Sequence, residues 1–578
     1  MKSGITYWAL AAALLGLQGA VMLRSALQET QTYDEAIRLA AGYSHLKTGD
    51  YRINPEHPPL GKILAALPLL PLRPRVPRDD PSWMSRDPAE FGRAFLYKNQ
   101  VPADTMLFRG RLVTMLLTLC LGAALAVWTR RHFGAAAGLL AVFLYALDPN
   151  VTAHGRYITD TVLVSLLSFL AVIAWGAWLR TGKKRDLLWA ALALALGLVS
   201  GFAALSLAPI FAVLYLIRRW QQRQGFAWRR LAAAGLVLGA VGVAVIALAY
   251  APETWRLTFG GRANSALQSS RTEGTTSPSA WLFRTAKRLG VPPYSYPMGL
   301  VSAAEHNHIG HPAYLLGQRS EKGGWWYYFP VAFAVKTPTA VLLLGLLGLL
   351  LAARRTLRPP LRLLYRRLRE ARFEWYLLTL PAAGYWLLWM RSNINIGLRH
   401  VLPVYAFLFV LIAVAVLEFW PPRMRRLLPV VLCCAISLQA YEWWRIYPHY
   451  LAFFNLPSGG PAHGPDYLAD SNIDWGQDLK KLKVWHEAHG KPRLCLAYFG
   501  QADPAYYGLE AAEPWLPPTW DTERRARLDC IAAVSVTSLK DVYRPAGEFE
   551  WLRRMRPIDH VGYSIYIYDL RKPRPAGR

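Results

Sequence analysis

Acidic residues are scarce in this chain of 578 residues: 37 Asp and Glu stand against 66 Lys and Arg, a formal net charge of +29. Familiar chemical signatures are missing too. There is no P-loop, no G-x-G-x-x-G after a strand and no H-E-x-x-H, so neither nucleotide hydrolysis nor zinc-peptidase chemistry has a motif to rest on. No repeat of fixed period is visible, which argues against a solenoid. No clear A-x-A site follows the first apolar run, so that run reads as a retained span rather than a signal peptide. Cysteines number only five.

What the chain does have is long apolar runs. Eleven stretches approach the length that crosses a bilayer core of about 30 Å as a helix: residues 5–23, 111–128, 133–147, 161–179, 187–201, 203–217, 231–250, 331–352, 374–390, 400–419 and 427–445. Residues 60–72 (LGKILAALPLLPL) are too short and read as an interfacial or re-entrant segment. A charge of +29 in a soluble protein would suggest nucleic acid. Here the cations sort by loop. Segments 129–132, 180–186, 218–230, 353–373 and 421–426 hold 22 Arg and Lys against two acids, Asp186 and Glu370. Basic loops stay cytoplasmic. All five fall on one side if the N-terminus is cytoplasmic and there are eleven spans. Loops 24–110, 148–160, 251–330 and 391–399 and the tail 446–578 then face outward, to a periplasm or its equivalent. The expected organisation is a transmembrane module over 1–445 and an outward α/β domain over 446–578, in an inner (plasma) membrane. In the tail, DLKKLKVWHEAH reads as a helix, and RLCLAYFG, CIAAVSV and GYSIYIYDL read as strands. Cys495 and Cys530 lie there, where a disulfide is permitted; their pairing is left open.

The outward loops concentrate ionisable groups. TYDEAIR places Asp34 and Glu35 side by side soon after the first span. NPEHPPLGK follows, with Pro58 and Pro59 expected to forbid a helix and fix an extended turn that carries Glu56 and His57 on one side and Lys62 on the other. Lys62 at headgroup depth suits a lipid phosphate; snorkelling to generic phospholipid is the plain alternative. DPNVTAHGRYITD packs Asp148, His154, Arg156 and Asp160 into a tight turn, and RSNINIGLRH adds Arg399 and His400. Lys336 lies in or at the start of an apolar run, where a charge needs a partner or a function. Carboxylates beside cations on an outer leaflet fit transfer from a lipid phosphate. A carboxylate takes the acceptor proton as general base, worth about 10²–10⁴-fold, and cations hold the departing phosphate.

At these residues the sequence resembles the phospholipid-carrier-dependent glycosyltransferases of GT-C fold, the protein O-mannosyltransferase and aminoarabinose-transferase superfamily (glycosyltransferase family 39). The resemblance rests on YDEA, NPEHPPLGK, HGRYITD, KTP and IGLRHVLPVY, with YPHYLAFFN, DSNIDWGQDL and YFGQADPAYYG in the tail resembling its bacterial members. It implies a polyprenyl-phosphate sugar donor, an inverting transfer on the outer face, and a protein, lipid or glycan acceptor, with no nucleic-acid partner. It implies Asp34 as the catalytic acid of the first loop with Glu35 as its neighbour, Asp160 as the second-loop acid, and Lys62, Arg399 and His400 near donor phosphate. Arg156 and Lys336 join that cationic set. Glu56, His57, His154 and Asp474 are candidates for acceptor binding or loop positioning. A Thr-Lys pair of the family is absent where this chain reads SGFAALSLAP.

No cofactor and no metal are expected. DSNIDWGQDL holds Asp470, Asp474 and Asp478; Asp474 is read as the cap of the following helix and the others as solvated, with a metal or acceptor site as the sharper alternative. His306, His308 and His311 read as a His-rich loop, with zinc ligation as the sharper alternative, and Trp325 to Tyr328 read equally as an interfacial aromatic belt and as rings that stack on sugar. The function expected is sugar transfer by a membrane glycosyltransferase. The alternatives are a lipid-modifying transferase of the same fold and a polyprenyl-lipid flippase or transporter without chemistry.

Overall fold

The computed structural model describes residues 2–259, 295–356, 361–510 and 516–571, with residues 281, 285 and 288; most of the middle of loop 251–330 lies outside the described residues. Each of the eleven apolar runs is helical. Among the described residues seven helices are long and apolar enough to cross a membrane: Gly4–Leu27, Ala103–Phe133, Thr161–Thr181, Phe202–Gln221, Trp228–Ala249, Leu398–Phe419 and Pro422–Arg445. The chain is a polytopic α-helical membrane protein.

The remaining runs depart from the count of eleven straight spans. Ala135–Ala146, Lys184–Leu198 and Phe373–Trp389 have 12, 15 and 17 residues. At about 1.5 Å per residue they fall short of a hydrocarbon core about 30 Å thick. The run 331–352 is broken: Tyr328–Lys336 and Thr339–Arg355 meet at 113°. Pro338 causes the break, because it forces Thr337 into extended backbone (ψ 135°) and withholds a backbone donor.

Thr161–Thr181 and Leu398–Phe419 form the interior of the bundle, packed through Phe169, Val172, Trp175, Phe407, Phe409 and Val410. Trp228–Ala249 and Pro422–Arg445 lie at its edge, with Leu236, Val243, Leu248 and Val430 exposed as lipid-facing side chains are.

The first outward loop is mostly helical. Glu35–Thr48 ends at Gly49, whose φ of 62° favours a residue without Cβ. Pro58 and Pro59 do not exclude a helix, as the sequence reading has it; Pro59 opens one, Pro59–Ala66, at the first position, where a missing N–H costs nothing. Gly42 lets the two helices touch, since a Cβ there would strike the backbone carbonyl of Lys62.

The tail carries a four-stranded sheet. A short hairpin, β1 (Ala313–Leu315) and β2 (Gln318–Ser320), precedes it in the chain. The sheet has the order β3 (Leu494–Ala497), β4 (Ile531–Ser535), β6 (Ile565–Asp569), β5 (Asp559–Val561). β3 and β4 run parallel and the other pairs antiparallel. The helix read from DLKKLKVWHEAH is Leu479–Ala488, with Leu479 and Leu482 buried against β3 and β4. Cys495 and Cys530 are joined by a disulfide.

Candidate active site

Segments far apart in sequence meet around a cavity of about 1000 Å³. Its walls include Asp34, Glu56, His57, Asp160, Arg399 and His400, six of the residues that the sequence singles out.

Asp34 stands at the N-cap of Glu35–Thr48 but makes no capping hydrogen bond, and it lines the cavity. Its Oδ2 lies 3.7 Å from Arg399 Nη2. The Arg399 guanidinium packs flat on Trp475, 4.0 Å from the ring centre, and its buried Nη1 has no partner. A guanidinium with a donor to spare suits an anion. Buried His400 Nε2 is unpartnered beside it. Asp160 is ion-paired with Arg38 and lies 3.6 Å from His57 Nδ1. Glu56 reaches His306 Nδ1 at 3.4 Å.

Other expected residues lie behind the walls. Glu35 is fully buried and paired with Arg111: Nη2 to Oε2 is 2.6 Å and Nε to Oε1 is 2.8 Å, and Glu35 also accepts from Ile158 N at 3.1 Å and Thr32 N at 2.8 Å. The adjacent carboxylates thus divide, Glu35 inward and Asp34 into the cavity. Arg156 is equally buried, forked onto Glu29 at 2.7 and 3.0 Å. Lys62 does not reach the cavity or snorkel. Its Nζ donates to Asn54 O at 2.7 Å and pins the Asn-Pro-Glu-His-Pro-Pro turn from behind. Lys336 donates to the carbonyls of Leu451, Phe453 and Asn472 at 2.9, 2.9 and 2.6 Å, so those oxygens take the place of a phosphate. His154 is buried edge-on to Trp475 and Tyr157.

The tail motif differs from its sequence reading. Asp470, Asp474 and Asp478 are all buried, none solvated. The N-cap of Leu479–Ala488 is Asp478, not Asp474. Asp474 instead accepts from Thr537 N at 3.0 Å, tying the motif to the end of β4, and burial pushes its carboxyl up to about 8. Among the described residues no group of three or more His, Cys, Asp or Glu has the arrangement to hold a metal ion. Tyr328 is buried and accepts from Asn472 Nδ2 at 2.9 Å, while Trp326 is exposed.

Sequence reasoning missed Arg38, Phe499 and Tyr543 and favoured a solvated Asp470; all four are in the cavity wall. Arg38 carried a signal, since it lies four residues after Asp34 and so on the same helix face. Tyr543 lies in no quoted motif.

Residues 103–249 match the family model described as dolichyl-phosphate-mannose-protein mannosyltransferase. That match spans about a quarter of the chain. The chain matches no curated protein. Among solved structures it is similar to ArnT from Cupriavidus metallidurans bound to undecaprenyl phosphate, at 13% identity and TM-score 0.44 over 97% of this chain and 99% of that one. The apo state of that protein gives 12% identity and TM-score 0.46 over 99% and 100%. The apo Archaeoglobus fulgidus oligosaccharyltransferase gives 12% identity and TM-score 0.44 over 75% of this chain and 55% of that chain.

Proposed function

We propose that this chain moves a sugar from a polyprenyl-phosphate carrier to an acceptor hydroxyl, with inversion, at the outer face of an inner (plasma) membrane. One observation carries the reading: the uncommitted Asp34 carboxylate stands 3.7 Å from an arginine that has a buried donor to spare, in one cavity. The family match to a lipid-phosphate-sugar-dependent enzyme fits it.

The carrier phosphate sits against Arg399 and His400. The acceptor hydroxyl gives its proton to Asp34, its oxygen bonds to the anomeric carbon, and the bond from that carbon to phosphate breaks. Polyprenyl phosphate leaves, its charge held by Arg399. One base and no covalent carboxylate intermediate yield inversion. Asp160, held by Arg38 and His57, lines the same cavity and orients the reactants. With all eleven runs crossing, the N-terminus is cytoplasmic and residues 446–578 face outward, the sidedness that the basic loops favour.

The test uses purified protein in liposomes with a panel of radiolabelled polyprenyl-phosphate sugars. Wild type consumes one donor, and Asp34→Asn lowers that rate about 10²–10⁴-fold. Asp34→Asn turning over at the wild-type rate sinks the assignment. Carrier binding without consumption of any donor, even with membrane extract added, would favour a transporter.

A further inference from the structure

Thr339–Arg355 and Phe373–Trp389 each pack along Leu398–Phe419, and the space between them is a groove of about 940 Å³. It shares two helices with the active-site cavity but not the same ends of them. The cavity takes Leu388, Trp389 and Pro403; the groove takes Trp375, Thr379 and Phe419. The groove thus lies in the leaflet opposite the cavity.

Its wall on Thr339–Arg355 is apolar from residue 341 to residue 352, a rise of about 16 Å at about 1.5 Å per residue. One leaflet of a hydrocarbon core about 30 Å thick is about 15 Å deep. Gly345 and Gly348 let this wall lie close on Leu398–Phe419, since an added Cβ would sit 3.4 Å from Ile412 and 3.0 Å from Ala415. Leu346 and Leu349 line the groove and are still exposed, so it opens sideways to lipid.

The far end of the groove is cationic. Arg355, Arg367 and Arg372 line it together with Glu370 and Glu418. Both acids are committed: Glu418 accepts from Arg372 Nη1 at 2.6 Å and Glu370 from Arg366 Nε at 2.8 Å. Among the described residues Arg355 and Arg367 have no acidic partner. The Arg355 guanidinium lies over Phe419, 5.4 Å from the ring centre, and Arg367 Nη1 donates to Arg355 O, so the two stand at one mouth. Arg367 belongs to Leu361–Glu370, which is itself held in place: Trp220 Nε1 donates to the Tyr365 hydroxyl at 2.8 Å, and the Tyr376 hydroxyl to Leu368 O at 2.6 Å. The sorting of basic residues to one side of a membrane accounts for the number of arginines here. It does not account for two without an acid at the mouth of an apolar groove one leaflet deep.

We propose that this groove binds an anionic glycerophospholipid, with an acyl chain along residues 341–352 and the headgroup phosphate against Arg355 and Arg367, as guanidinium groups hold phosphate. The site stands apart from the transfer reaction and does not rest on that reading.

The test uses the full chain, delipidated in a mild detergent and titrated with phosphatidylglycerol or with phosphatidylcholine of the same acyl chains. Bound lipid is counted by native mass spectrometry. Wild type is expected to hold one phosphatidylglycerol about 30-fold more tightly than phosphatidylcholine, the effect of two arginines near an anionic headgroup. Arg355→Gln with Arg367→Gln abolishes that preference and still binds phosphatidylcholine as wild type does, which shows that the variant is folded. Arg423→Gln with Arg425→Gln, on the neighbouring basic turn Pro422–Leu427, removes the same charge and keeps the preference. Thr379→Trp, at an exposed position in the groove, weakens binding of both lipids. Equal affinity of wild type for the two lipids, or an equal loss in the two arginine pairs, would mean annular lipid drawn by general charge and would overturn the proposal. Phosphatidylglycerol binding undiminished in Thr379→Trp overturns it as well, even where the first arginine pair fails to fold. A lipid-free dimer that Thr379→Trp dissociates would seat a second copy of the chain in the groove and equally overturn it.

Discussion

Successive residues on a helix point about 100° apart, and this separates Asp34 from Glu35. Glu35 meets Arg111 inside the protein, where both are all but inaccessible. Removing one partner of such a pair strands the other charge, at a cost of about 3–5 kcal/mol. Glu35→Gln is therefore expected to lower the thermal unfolding midpoint in detergent markedly and to reduce folded yield. Asp34→Asn, in the cavity, leaves the midpoint near wild type and removes activity. A Glu35→Gln protein that is fully stable but inactive would show that both carboxylates serve the chemistry. The sequence displays the pair but not the split, because Arg111 lies 76 positions away and only the packed helices bring it to Glu35.

At the scale of elements, the break at Pro338 exposes helix ends that lipid cannot satisfy. Polar groups from elsewhere cover them. Glu442 accepts from Thr339 N at 2.8 Å and Thr339 Oγ1 at 2.6 Å at the start of the second half-helix, and also from Leu456 N at 3.0 Å. Asn455 Nδ2 donates to the carbonyls of Ala334 and Thr337 at 2.6 and 2.9 Å, and Lys336 clamps the following chain. Glu442→Ala leaves three donors without a partner, at about 1–3 kcal/mol for each that stays buried. The expected outcome is a fall in the unfolding midpoint, partly recovered in Glu442→Gln, which keeps one acceptor oxygen. An Ala variant as stable as wild type would mean that the break needs no such cover. Apolar length and period were enough to place the eleven apolar runs as helices and three of the four tail strands, but not β5 or the helices of the first outward loop. The break is marked in the sequence only by Lys336 to Thr339 inside an otherwise apolar run, and its covering groups, Glu442 and Asn455, lie about a hundred positions on. Lys336 announced a partner without saying that it would be three carbonyls.

At the scale of the whole molecule, the cavity depends on how the tail is pinned to the first outward loop. Residues 474–478 are the pin. Tyr33 N donates to Trp475 O at 2.8 Å and Thr30 N to Gln477 O at 2.9 Å on one side. Asp474 takes Thr537 N on the other, so the loop bearing Asp34 and the segment leading to Tyr543 share one anchor. Burial pushes the Asp474 carboxyl up from its ordinary 3.8 to about 8. The folded state therefore holds this proton more tightly than the unfolded chain does. The stability that follows is full below about pH 4, declines as pH rises through the window between the two values, and is gone above about pH 8. Asp474→Asn keeps an acceptor for Thr537 N and removes the titration. Its unfolding midpoint is expected to fall less than that of wild type between pH 6 and pH 8. Other titrating groups act equally on both proteins, so the difference between the two curves isolates Asp474. Parallel curves would show that Asp474 does not hold a proton at neutral pH, and that the pin is set by its backbone contacts alone.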